Sequence, residues 1–151
     1  MPSDFTPSIA QVVRTFSISA QTMLREKYPE LLSVLARSPR PSNDWDFFMT
    51  AAGVGYAIIV TNASGEEKAA ILRQAAEIDS QLPAAISNLF DFVEKQKSAE
   101  AGLRANLGVW VLWNIGGGCP EHREMEKLAP AIGMYLEILV TKFLNEGKGK
   151  R

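Results

Sequence analysis

The chain has 151 residues, 46% of them apolar and 22% charged, with sixteen Lys and Arg against seventeen Asp and Glu and a formal net charge of −1. A single domain of this length buries roughly 70% of its unfolded surface, so its core needs no disulfide or structural metal. Balanced charge argues against a dedicated nucleic-acid binder, the apolar content argues against disorder, and one cysteine suits a reducing, cytoplasmic setting.

Apolar residues at Ile9, Val12, Val13, Phe16, Ala20, Met23 and Leu24 recur every three or four positions and predict the buried face of a first helix. Pro7 and Ser8 form its entry. Pro29 interrupts, because it pushes Tyr28 away from helical geometry. Leu31, Leu32, Val34 and Leu35 predict a short second helix opening at Pro29, where a missing N–H costs nothing. Residues 38–42 read as a loop, since Pro39 and Pro41 suit neither helix nor ladder.

Ser42 or Asn43 caps the third helix, and Asp44 and Asp46 occupy its first turn, where the helix dipole favours negative charge. From residue 45 to residue 60 this helix is apolar on nearly every side, the pattern of a helix buried among others. Ala51 and Gly55 are four positions apart, as are Gly53 and Ala57, so another helix can come close. Each glycine costs about 1 kcal/mol of helix propensity relative to alanine, which tight packing must offset. Leucine at position 53 or 55 is expected to overpack the contact by roughly 1–3 kcal/mol.

Asn62, Ala63, Ser64 and Gly65 form a turn, and Ser64 and Glu67 have the spacing of a capping box. Ile71, Ala75, Ile78 and Leu82 stripe the next helix. Pro83 either kinks that helix or opens another, with Ser80 available as a cap, and Ile86, Leu89, Phe90 and Val93 continue the apolar face. Leu103, Leu107, Trp110 and Asn114 mark a further helix, with Val109, Leu112 and Trp113 on its other side. Gly116, Gly117 and Gly118 stop it. Pro120 opens the last helical region, which Pro130 is expected to break or kink. Its stripe is Leu128, Ile132, Tyr135, Leu139 and Phe143. Residues 147–151 read as a basic flexible tail beyond a single domain spanning 1–146. No strand-like alternation is present, so the fold is expected to be all-α, a compact bundle of five to seven helices.

Two stretches lack charge, residues 47–65 and 105–120. Their glycines, Thr50, Asn62, Asn106 and Asn114 fit buried core helices better than membrane spans. Nothing in the first 14 residues predicts a secretory leader. Neither a membrane nor a nucleic acid is therefore an expected partner.

Cys119, His122 and Glu126 form the one constellation with chemical potential, since a helix start stabilises a thiolate and the spacing puts the three broadly on one face. A structural zinc wants four ligands, and no second Cys or His exists. The triple glycine lacks the Lys-Ser or Lys-Thr of a phosphate loop. No catalytic or metal-ligating residue is assigned, and no cofactor is expected. The aromatic residues form the candidate ligand-binding set: Trp45, Phe48 and Tyr56 on one helix, Trp110 and Trp113 on another, with Met49 and Met134 nearby. Between helices they suit an apolar pocket, the alternative being plain core packing.

The leading functional expectation is an interaction module that self-associates as a two-fold dimer, through the Trp110 and Trp113 stripe or through the final helix with Tyr135 and Phe143. The alternatives are a binder of a small apolar ligand, and a metal- or thiol-dependent enzyme using Cys119 and His122. Cys119→Ser and His122→Ala are expected to leave the melting temperature nearly unchanged. Large unfolding, or loss of a bound metal in elemental analysis, would instead give that turn a role.

Overall fold

The computed structural model describes residues 9–36, 41–62, 65–95, 102–115 and 122–149. Among them run seven helices and no strands: α1 (Ile9–Lys27), α2 (Glu30–Ala36), α3 (Pro41–Thr61), α4 (Gly65–Ile78), α5 (Leu82–Lys95), α6 (Gly102–Ile115) and α7 (His122–Gly149). The fold is an all-α bundle.

The helix boundaries follow local chemistry. Tyr28 and Pro29 separate α1 from α2, with the Leu31 N–H donating to the Tyr28 carbonyl at 3.0 Å. α3 starts at Pro41, two residues earlier than the proline-rich loop reading suggests. A proline at a helix start gives up an N–H that has no intrahelical partner. Asn62 ends α3 in the left-handed region, at φ 52°, a conformation asparagine tolerates better than most residues. The expected Ser64 cap lies outside the described residues. Between α4 and α5 the turn is held by Asp79 rather than Ser80. The Asp79 carboxylate accepts the Gln81 N–H at 2.8 Å, and its carbonyl accepts the Leu82 N–H at 3.0 Å. Pro83 then opens α5 instead of kinking α4.

Pro130 does not end α7, which continues through it to Gly149 and into the stretch expected as a tail. Pro130 is exposed; a proline inside a helix removes one backbone bond and its ring crowds the carbonyl four residues back, and α7 continues past both. Among the described residues, Leu128–Asn145 of α7 has the length and composition of a membrane-spanning helix, with 39% of it buried in the bundle. Of the two uncharged stretches singled out by sequence, residues 47–61 lie in α3 and residues 105–115 in α6, both lined with buried residues.

α3 is the hub. It packs against α1, α4, α5, α6 and α7, and every residue from Met49 to Ile58 is buried. Val13 lies against Gly53, and Ser17 lies beside Trp45, so α1 runs antiparallel to α3. Three glycines sit at the closest approaches, and they differ in what they face. A Cβ on Gly55 would come within 2.5 Å of Leu89 Cδ2, the free end of a flexible side chain. On Gly53 it would come within 2.6 Å of Val13 Cγ2, whose branched side chain has little rotamer freedom. On Gly108 it would come within 2.6 Å of the Cα and carbonyl carbon of Ala129. There backbone meets backbone in the most extensive helix pair of the fold, α6 with α7.

These neighbours set an order of tolerance. Gly108→Ala should cost about 3 kcal/mol or more, because a whole helix must move. Gly53→Ala should cost less, and Gly55→Ala least. Urea denaturation of the three variants measures the order, and a Gly108→Ala variant as stable as Gly55→Ala would contradict it.

Candidate functional site

The structure divides the five aromatic candidates between core and surface. Trp45 is fully buried, and its indole N–H donates to the Ser17 carbonyl at 2.6 Å. The Ser17 hydroxyl, also buried, donates to the Asp46 carboxylate. Trp110 is buried and donates to Asn88 Oδ1 at 2.9 Å. Phe48 meets Trp110 edge to face, with centroids 5.6 Å apart. Tyr56 is buried and reaches Glu137 Oε2 at 3.4 Å. Trp113 is 52% exposed.

The structure thus brings Phe48 and Trp110 together, while Trp45 and Tyr56 have their own partners on α1 and α7. Trp113, three residues further along α6, points to solvent. Each buried polar edge of these rings has its hydrogen bond, as aromatic core residues require. Of the five, Phe48 alone borders the cleft between α1, α3 and the α4–α5 turn.

Cys119 lies outside the described residues. His122 and Glu126 fall on α7, but their side chains are outside the described set. Among the described residues, no group of three or more His, Cys, Asp or Glu is placed to hold a metal ion.

A different surface collects apolar groups. Among the described residues eight large hydrophobic side chains are exposed, and five of them lie on α1 and α7: Phe16, Ile18, Met23, Met134 and Ile138. Phe16 and Met23 belong to the stripe expected to face the core. They sit at the edge of that face, and the neighbouring helices stop short of covering them, leaving Phe16 48% exposed. On α7, Met134 and Ile138 lie one turn apart on the outward side, with Ile138 59% exposed. The Tyr135 hydroxyl donates to the Phe16 carbonyl at 3.1 Å and sets the two helices side by side at this level. Every exposed residue of α1 from Thr15 to Met23 is uncharged, as is every exposed residue of α7 from Pro130 to Thr141. A shallow groove lined by Glu137, Ile138, Thr141, Lys142 and Asn145 continues along α7.

The stripe expected as an interface on α6 reduces to Trp113, because Trp110 is in the core. The surface on α7 follows a signal that periodicity carries but does not interpret. Met134 and Ile138 each lie one residue before a member of the stripe of Leu128, Ile132, Tyr135, Leu139 and Phe143, which turns them away from it. Compared with protein-family models, characterised proteins and solved structures, the chain matches none.

Tyr135 joins the two helices at a half-buried position, and burial raises its pKa above the ordinary value of 10.0. The folded state therefore holds the phenolic proton more tightly than the unfolded chain. That stability is fully present below pH about 10 and is lost as pH rises through the folded-state value. Tyr135→Phe should cost about 1 kcal/mol at neutral pH, from the lost hydrogen bond. It should also remove part of the alkaline loss. Urea denaturation of both proteins on either side of pH about 10 checks it, and parallel pH profiles would refute it.

Proposed function

We propose that the protein is a helical interaction module that pairs with a second copy of itself through the outward faces of α1 and α7. One observation carries this reading. Phe16, Met23, Met134 and Ile138 are exposed on the two helices that the Tyr135–Phe16 hydrogen bond joins, in two strips whose fully exposed residues are all uncharged. Scattered exposed hydrophobics need no explanation, but an uncharged strip on adjoining helices suits a contact.

The absence of exposed charge there favours a second copy as the occupant. A two-fold contact sets the residues near its axis against their own copies, so an exposed charge there would meet its own like at close range. An uncharged face escapes that repulsion. Glu137 and Lys142, in the groove beside Ile138, have opposite signs and suit reciprocal pairing at the rim. On α6, by contrast, Trp113 is the one large exposed apolar residue among those described, which offers a point rather than a strip.

Sedimentation velocity tests the reading. The wild-type chain should be dimeric at roughly tens of micromolar. Ile138→Asp should shift it to monomer with helical circular dichroism intact, and Trp113→Glu should leave the dimer unchanged. A monomeric wild type at that concentration, or a dimer that survives Ile138→Asp, would overturn it.

A further inference from the structure

On the other side of α1 from its uncharged strip lies a different feature. A cleft of about 470 Å³ opens between α1, the first half of α3 and the turn joining α4 to α5. Its charged lining is Arg14 from α1, Asp44 and Asp46 from α3, and Asp79 from the turn. Three carboxylates thus face one guanidinium. Asp46 is oriented by the Ser17 hydroxyl, and Asp79 by the Gln81 N–H. Both carboxylates are therefore held in place before any ligand arrives.

The lining also contains Thr50, which is 1% exposed. Among the described residues its hydroxyl has no hydrogen-bond partner. That is unusual within this protein. Thr15, Thr22 and Thr61 each donate to the carbonyl four residues back, at 2.7, 3.2 and 2.7 Å. Thr50 makes no such bond, although it too lies inside a helix. A buried, unpartnered hydroxyl is costly, and natural proteins keep one where something else completes it. Here it sits at the floor of an acidic cleft.

The geometry narrows the ligand. The carboxylates ring the cleft without converging, and among the described residues no three acidic groups come close enough to hold a metal ion. Spread negative charge suits an organic cation rather than a bare one. Phe47 and Phe48 supply aromatic lining, the surface that attracts both an apolar body and a cation.

We propose that this cleft binds a small primary amine with an apolar or aromatic body. The ammonium lies among the carboxylates and donates to the Thr50 hydroxyl oxygen, and the body packs on the phenylalanine rings. No bond is made or broken. This site is independent of the self-association surface, because Phe16 and Met23 occupy another side of α1 from Arg14.

Isothermal titration with 2-phenylethylamine at neutral pH tests it, using phenylacetate and 2-phenylethanol as anionic and neutral probes with a similar body. The amine should bind saturably, and the two other probes should not. Thr50→Val keeps the side-chain shape and should weaken the amine about tenfold, as loss of a hydrogen bond to a charged group does. Asp46→Asn should weaken it by a similar factor while the melting curve stays cooperative. If Asp46→Asn fails to fold, Thr50→Val decides alone. No saturable binding to the wild type, equal binding of 2-phenylethanol, or an unchanged affinity in Thr50→Val would overturn the proposal.

Discussion

α3 has almost no side that faces water, and this constraint governs the rest of the bundle. A helix surrounded by α1, α4, α5, α6 and α7 must let several neighbours approach at once. Large side chains on all faces would hold those neighbours apart and leave voids between them. Gly53 and Gly55 solve this on two faces, receiving Val13 from α1 and Leu89 from α5. Each glycine sacrifices helix propensity of about 1 kcal/mol. The dispersion contacts and apolar burial gained by close approach offset it. Gly108 repeats the device where α6 crosses α7, there with backbone against backbone.

Close packing also dictates what happens to polar groups. The indole of Trp45 cannot enter the core with its N–H unpaired, and the Ser17 carbonyl accepts it. A backbone carbonyl of α1 is thus shared between its own helix and α3. The Ser17 hydroxyl then bonds Asp46, so one residue of α1 ties two successive residues of α3. Trp110 and Asn88 make the equivalent link between α6 and α5. These bonds place large aromatic rings as cross-ties between helices. For that reason the aromatic residues do not gather around a common cavity.

α1 shows how one helix serves two surfaces. Its buried arc is committed to α3. One exposed edge carries Phe16 and Met23 beside α7, where the Tyr135 hydroxyl closes the seam. The other edge carries Arg14, at the margin of an acidic cleft. Uncharged and charged surfaces are thereby kept apart by little more than the diameter of a helix.

The number and rough extent of the helices were legible in the sequence alone. Helical periodicity, proline at helix starts and glycine or asparagine at ends are local properties, set by a few adjacent residues. So was the burial of α3, because its residues 47–61 carry no charge and are apolar on nearly every side. The candidate sites were much less legible. Periodicity placed Phe16 and Met23 on the apolar face, but only the position of α7 decided that this edge is left uncovered. Three glycines read alike as small residues, yet Gly108 alone meets a backbone, which depends on where α6 crosses α7. The cleft draws on Arg14, Asp46, Thr50 and Asp79, which no spacing rule connects. Sequence pattern determines which side of a single helix is apolar. How far the neighbours cover that side, and which distant residues meet, depends on crossing angles and interhelical distances, and only the tertiary packing decides those.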